Sequence, residues 1–165
     1  MLGKTLSDPL GVEEGGEMAG MGLLPTETVF SAQKARTRVT GAFGQMEGIF
    51  AGLSGLELEG YEIHMGVTTG AAPIAGLTDA VTGERRADGG QSGNVYGSYV
   101  HGVLDRPGVA SAIIAALAKK KGVDPERLGK VSGEEHKQQQ YDLLAAGMRA
   151  HMDMKKVYEI LEAGL

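Results

Sequence analysis

A chain of 165 residues with 42% hydrophobic content is long enough for one domain with a real core, and its formal charge of -5 is spread over interspersed acids and bases. The longest basic run, Lys119-Lys120-Lys121, makes no electrostatic footprint for nucleic acid. No apolar run approaches the roughly 18 residues of a membrane span, and Met1 to Gly16 lack a basic region followed by an apolar one, so no membrane partner and a cytoplasmic location are expected. Cysteine is absent, which excludes disulfides, cysteine metal sites and a thiol nucleophile within these residues.

The 27 glycines are about twice the usual share and predict many tight turns between short strands. Met1 to Gly20 is too glycine-rich for a stable helix beyond a turn or two. Met21 to Phe30 predicts a strand, and Arg36 to Thr40 a neighbouring strand after a polar turn. Met46, Ile49, Phe50 and Leu53 predict a short helix or ordered loop within 42–54. Tyr61 to Thr69 reads as a strand with Tyr61, Ile63, Met65 and Val67 on one face and Glu62 and His64 on the other. Two ionisable side chains so placed face water, bond their neighbours or line a site. Glu-x-His offers too few ligands for a familiar zinc spacing, so no metal is expected.

Pro73 to Asp79 suggests another short strand, and Thr82 to Ser92 a turn-rich loop. Val95, Tyr96, Tyr99 and Val100 are β-formers between Gly93 and Gly102, so a strand is expected to deliver His101 to its end. A helix follows over 107–121, with Asp105 as expected cap, Val109, Ile113 and Leu117 on one face, and Gly122 as its stop. Asp124-Pro125-Glu126 signals another helix start. Helical spacing predicts a helix over 134–149, with Tyr141, Leu144, Met148 and then Met152 in register. Asp153 caps a last helix whose Val157, Ile160 and Leu161 are expected to face a core until Gly164. The methionines are expected to serve packing.

His101, between a strand and a helix, stands where ligands and catalytic groups collect in open α/β sheets, although a histidine that merely hydrogen-bonds in a loop fits the same position. No dinucleotide fingerprint, phosphate loop or Gly-x-Ser-x-Gly elbow accompanies it.

Together, Met1-Leu2-Gly3, Gly22-Leu23-Leu24-Pro25-Thr26-Glu27-Thr28, Tyr61-Glu62-Ile63-His64-Met65-Gly66 and Gly97-Ser98-Tyr99-Val100-His101-Gly102 resemble the C-terminal glutamine amidotransferase domain of the cobyric acid synthase family, a class I, CobB/CobQ-like domain. The resemblance runs over nearly the whole chain and implies a flavodoxin-like α/β fold, here a partial domain of several strands followed by C-terminal helices. Residues 1–165 would be the C-terminal portion of that domain, with the synthetase domain and the nucleophile elbow lying upstream.

By the same resemblance, a cysteine thiolate attacks the carboxamide of glutamine, His101 moves the proton, ammonia leaves, and water hydrolyses the thioester. The ammonia serves ATP-dependent amidation of corrin carboxylates, with ATP and magnesium held by the synthetase domain and no cofactor in this chain. Glu62, His64 and Tyr99 are expected to line the site. Val103 stands where commoner class I enzymes carry a glutamate, so the acid that orients His101 is not identified, and Asp105 better suits a helix cap. The family's cysteine elbow ends at the residue matching Met1, so the chain is expected to be inactive alone and to self-associate through core surface left open. The alternatives are a cobyrinic acid a,c-diamide synthase-type amidotransferase and a non-catalytic binding or assembly module that kept the fold.

Overall fold

A computed structural model describes residues 1–124 and 133–164. The chain divides into two compact units, Met1–Leu128 and Gly129–Leu165. The first is a strand-rich unit closed by one helix, and the second holds two helices, which is the mixed α/β arrangement of strands followed by helices that was expected.

The sheet is built on one 17-residue strand, β3 (Glu27–Phe43). Its N-terminal half pairs in parallel with β1 (Thr5–Asp8), which pairs antiparallel with β2 (Gly16–Ala19). Its C-terminal half pairs antiparallel with β5 (Ala75–Asp79), which carries β6 (Arg85–Asp88) outside it. On the other side, β4 (Glu57–Thr69) runs antiparallel along β3. A separate hairpin joins β7 (Gly90–Ser92) and β8 (Val95–Gly97).

Several expectations are corrected here. The two strands foreseen over 21–30 and 36–40 are one strand with a bulge. The pairing to β4 shifts register between Phe30 and Ala35, and Ser31 Oγ donates to the Met65 carbonyl at 3.1 Å, which ties the irregular stretch to its neighbour. Met1 to Gly20 carries the β1–β2 pair, because the glycines fall in and beside the connecting loop. There the Asp8 carboxylate accepts from the N–H groups of Val12, Glu13 and Gly15 at 2.8–3.0 Å. Burial opposes ionisation of Asp8, and the backbone donors of Glu13, Val12, Gly15 and Gly11 outweigh it, holding the carboxyl below its ordinary range. The loop foreseen over 82–92 contains β6 and β7. The short helix within 42–54 is a 3-10 helix, Gly48–Leu53.

Helix α1 (Pro107–Lys121) packs on that 3-10 helix through a buried Val109 and a partly buried Ile113, while Leu117 is exposed. Arg106, not Asp105, is the N-cap residue, and no side chain caps this end. Gly122 ends the helix in the left-handed conformation, φ 67°. The core of the unit gathers Val39, Phe43, Leu58, Leu77, Val100 and Val109 between the inner face of the sheet, the 3-10 helix and α1.

In the second unit, α2 (Gly133–His151) precedes α3 (Met154–Ala163). Asp153 caps α3 as expected, its carboxylate accepting from the Lys156 N–H at 3.1 Å. Ile160 and Leu161 are exposed, contrary to the core role expected of them, while Val157 is partly buried; Tyr141, Leu144, Met148 and Met152, set in helical register, are exposed as well. Helical spacing selects a face but does not supply the surface that covers it. Of the methionines, Met46 is buried, whereas Met1, Met18, Met21, Met148 and Met152 are exposed. The helix start expected at Asp124-Pro125-Glu126 runs into residues 125–132, outside the described residues. Among the described residues, no helix is long and apolar enough to cross a membrane.

Candidate functional site

His101 lies beyond the end of β8 and is held by the backbone of β4. Its N–H donates to the Tyr61 carbonyl at 2.8 Å, and the Tyr61 N–H donates to the His101 carbonyl at 3.1 Å. Residues opposed in such a bridge project to one face. The two rings accordingly stack, with centroids 4.9 Å apart and planes 7° from parallel, and the His101 side is exposed. Gly60 makes this approach possible. A Cβ there would overlap the His101 carbonyl oxygen and come within 2.6 Å of Val100 Cγ1. The strand that was to deliver His101 stops at Gly97, so a backbone bridge, not a continuous strand, presents the ring.

The alternation foreseen along β4 is present, and the charged face is the inner one. Tyr61, Ile63 and Val67 are exposed, whereas Glu62 is 2% exposed. A carboxylate so buried is costly unless paired. Arg86 of β6 supplies the pair, its Nη2 donating to Glu62 Oε2. The other oxygen, Oε1, lies 3.4 Å from His64 Nε2, and His64 Nδ1 lies 2.9 Å from the Gly66 carbonyl; both partners only accept, so Nδ1–H donates to the carbonyl and Nε2 bonds the carboxylate when it too carries a proton. The imidazole stacks on Tyr99, with centroids 4.1 Å apart. Arg86 stands above its ordinary pKa: partial burial opposes its charge, and the hydrogen bond and negative charge of Glu62, aided by Asp79 and Glu84, outweigh that opposition.

This network forms one wall of a cavity of about 440 Å³, with Met1, Leu2, Leu24 and Pro73 among its apolar lining. Tyr99 OH bonds Thr68 Oγ1 at 2.6 Å, and Thr68 Oγ1 bonds Thr28 Oγ1 at 2.7 Å. Three hydroxyls sharing two bonds leave one O–H able to serve a ligand acceptor. Asp88 closes another side, accepting from Ser98 Oγ at 2.6 Å and from the Tyr99 N–H at 3.2 Å. The site is thus suited to a small polar molecule with both donor and acceptor groups.

Of the four residues singled out from the sequence, Glu62, His64 and Tyr99 come together in this cavity, while His101 lies on the opposite face of β4 beside Tyr61. The chain bends at Tyr99, so that Tyr99 joins the inner face and His101 the outer one. Arg86, Asp88 and Thr68 were not anticipated. The signal for Arg86 lay in Glu62 itself, since an acid inside a strand's buried face requires a cation. Asp105 lies in the turn after Gly102, its N–H donating to the Gly102 carbonyl at 2.9 Å. Among the described residues, no three His, Asp or Glu side chains gather closely enough to hold a metal ion.

The family pattern of the CobB/CobQ-like glutamine amidotransferase domain matches residues 1–109. The chain is 48% identical over 171 aligned residues to a cobyric acid synthase of Ruminiclostridium cellulolyticum, covering 100% of this chain and 33% of that protein. It is 38% identical to one of Lachnoclostridium phytofermentans, again over 100% of this chain and 34% of the relative. With one of Yersinia enterocolitica it shares 41% identity over 98% of this chain and 33% of the relative. The chain therefore spans about a third of the length of these curated relatives. Together with the two strand motifs now placed at the site, the match shows that the chain belongs to the family of CobB/CobQ-like glutamine amidotransferase domains.

Proposed function

We propose that the chain is the glutamine-hydrolysing part of a cobyric acid synthase and supplies ammonia for ATP-dependent amidation of corrin carboxylates in cobalamin biosynthesis. The observation that carries this reading is the presentation of His101, a ring fixed by a two-bond backbone bridge and a stacked Tyr61 and still open on its other side. A proton-transfer group needs this combination of fixed orientation and access. The relatives' common name, cobyric acid synthase, favours this over a cobyrinic acid a,c-diamide synthase-type enzyme.

In the proposed reaction a thiolate attacks the glutamine carboxamide carbon. His101 passes a proton to the leaving nitrogen, ammonia departs, and His101 then takes a proton from the water that cleaves the thioester. These 165 residues contain no cysteine, so the thiolate belongs to polypeptide outside them and the isolated chain does not turn over glutamine. Glu62, His64 and Tyr99 shape the inner-face cavity that holds the amino-acid end of glutamine, and because His101 stands on the outer face of β4, the carboxamide end has to pass the edge of β4 beside the Tyr99–His101 segment to reach it. ATP and magnesium act elsewhere in the synthase; no phosphate loop in this sequence would hold them, and none of these steps involves them.

The outer face of β4, with Tyr61, Ile63 and Val67 beside Val29 of β3, is apolar and exposed. It is the surface through which the isolated chain self-associates. The functional reading is tested by ammonia release from glutamine in a longer version that includes the family's cysteine. Release that His101→Ala abolishes supports it. A folded longer version that releases no ammonia refutes it in favour of a non-catalytic module.

A further inference from the structure

Arg86 and Glu62 meet across an unusual distance in the fold. In hydrogen-bonded order the strands run β4, β3, β5, β6, so two strands separate the pair. At the usual strand spacing a flat sheet would hold β4 and β6 about 14 Å apart. The side chains touch because the long arginine and the glutamate reach toward each other across the inner face of the sheet. On the way it passes Asp79 of β5, whose Oδ2 lies 3.7 Å from Arg86 Nη1. Each further link is short: Glu62 Oε1 to His64 Nε2 at 3.4 Å, the His64 ring on Tyr99, and Tyr99 OH on Thr68. Apart from His64, which is cationic only when protonated, Arg86 is the one cation paired with this carboxylate among the described residues.

We propose that Arg86 is a positioning residue of the cavity. It fixes the Glu62 carboxylate and, through it, the His64 ring against Tyr99, and so sets the shape of the wall that meets the substrate. That the substrate is glutamine rests on the preceding reading; the clamp itself does not. An ion pair with no further role would stabilise the sheet without controlling the His64 ring. The fork geometry matters as well, because a lysine offers a point charge that does not reproduce the guanidinium's paired donors.

The test is imidazole NMR on the 165-residue chain, whose four histidines allow His64 to be assigned with a His64→Gln variant. Wild-type His64 is expected to show a protected Nδ1–H and ring protons shifted by the Tyr99 face. In Arg86→Met with its amide spectrum otherwise intact, that proton should exchange about tenfold faster or more and the ring shift should collapse, with Arg86→Lys in between. His64 signals unchanged in a folded Arg86→Met overturn the proposal. If Arg86→Met does not fold, Glu62→Gln decides, since loss of the His64 signature supports the clamp and its retention overturns it. In the longer, cysteine-containing version, Arg86→Met should raise KM for glutamine about tenfold with kcat within about threefold. A fall in kcat at constant KM contradicts the positioning role. A parent enzyme without activity counts against the glutamine reading and leaves the NMR result to judge Arg86.

Discussion

Gly60 is the position at which stability and function meet most closely. In Gly60→Ala the new methyl would overlap the His101 carbonyl oxygen and crowd Val100 Cγ1, which is itself part of the buried core. Backbone cannot yield as a flexible side chain does, so the 100–101 segment must lift from β4. Two hydrogen bonds between His101 and Tyr61 are then lost, about 1 kcal/mol each, and overpacking against Val100 adds about 1–3 kcal/mol. A net loss of about 3–5 kcal/mol is expected, which at a slope of about 2 kcal/mol/M lowers the urea midpoint by about 1.5–2.5 M. Gly52→Ala is the matched control, because a Cβ there meets nothing within 4 Å. Its midpoint should stay level or rise slightly. The same NMR samples report the site, since His101 should lose the ring shift that Tyr61 imposes. A Gly60→Ala midpoint within about 0.3 M of wild type, with the His101 shift intact, would refute the reasoning.

Other outcomes follow from the same geometry. Ile63→Lys and Val67→Lys, on the exposed outer face, should reduce concentration-dependent association of the isolated chain in sedimentation velocity without lowering its thermal midpoint. Asp79 is held at a pKa of about 2, chiefly by the N–H groups of Thr82 and Val81 at 2.9 and 2.8 Å against the opposition of burial, so its folded value is depressed. The stability it contributes is present above the unfolded carboxyl pKa, near 3.9, and is lost as pH falls through about 2. Asp79→Asn should therefore flatten the acid limb of stability between about pH 4 and pH 2, measured by urea midpoints, while an unchanged limb would remove Asp79 from the explanation. In the cysteine-containing version, His101→Ala should cut ammonia release by about 10²–10⁴-fold, with glutamine binding retained.

Much of the site was legible because period-2 alternation depends only on the local chain. It separated Tyr61, Ile63 and Val67 from Glu62 and His64 on β4, while β-forming residues bounded by glycines marked the segment that brings Tyr99 and His101 to that strand. Which face lies inside depends on partners far away in sequence. The apolar set is outside here, and the acid is inside because Arg86, 24 residues on, reaches it. The long β3 was read as two strands because Ser31 to Lys34 carry turn-like polarity, and a bulge and a turn share that composition. The β1–β2 pair was missed for a related reason, since glycines that disfavour a helix equally suit the loop around Asp8. Asp105 has the composition of a cap, yet the turn from Gly102 places Arg106 at that position. The opposite facing of Tyr99 and His101 arises from a bend that no residue pattern in the stretch announces.

The thiolate mechanism is most directly tested by incubating the isolated 165-residue chain with glutamine and following both ammonia release and the intact protein mass. With no cysteine in the chain, no ammonia above the level of its His101→Ala variant and no glutamyl adduct are expected. Ammonia released by the isolated chain and lost on His101→Ala would contradict the mechanism, because glutamine would then be hydrolysed at His101 without the thiol on which the proposed chemistry depends.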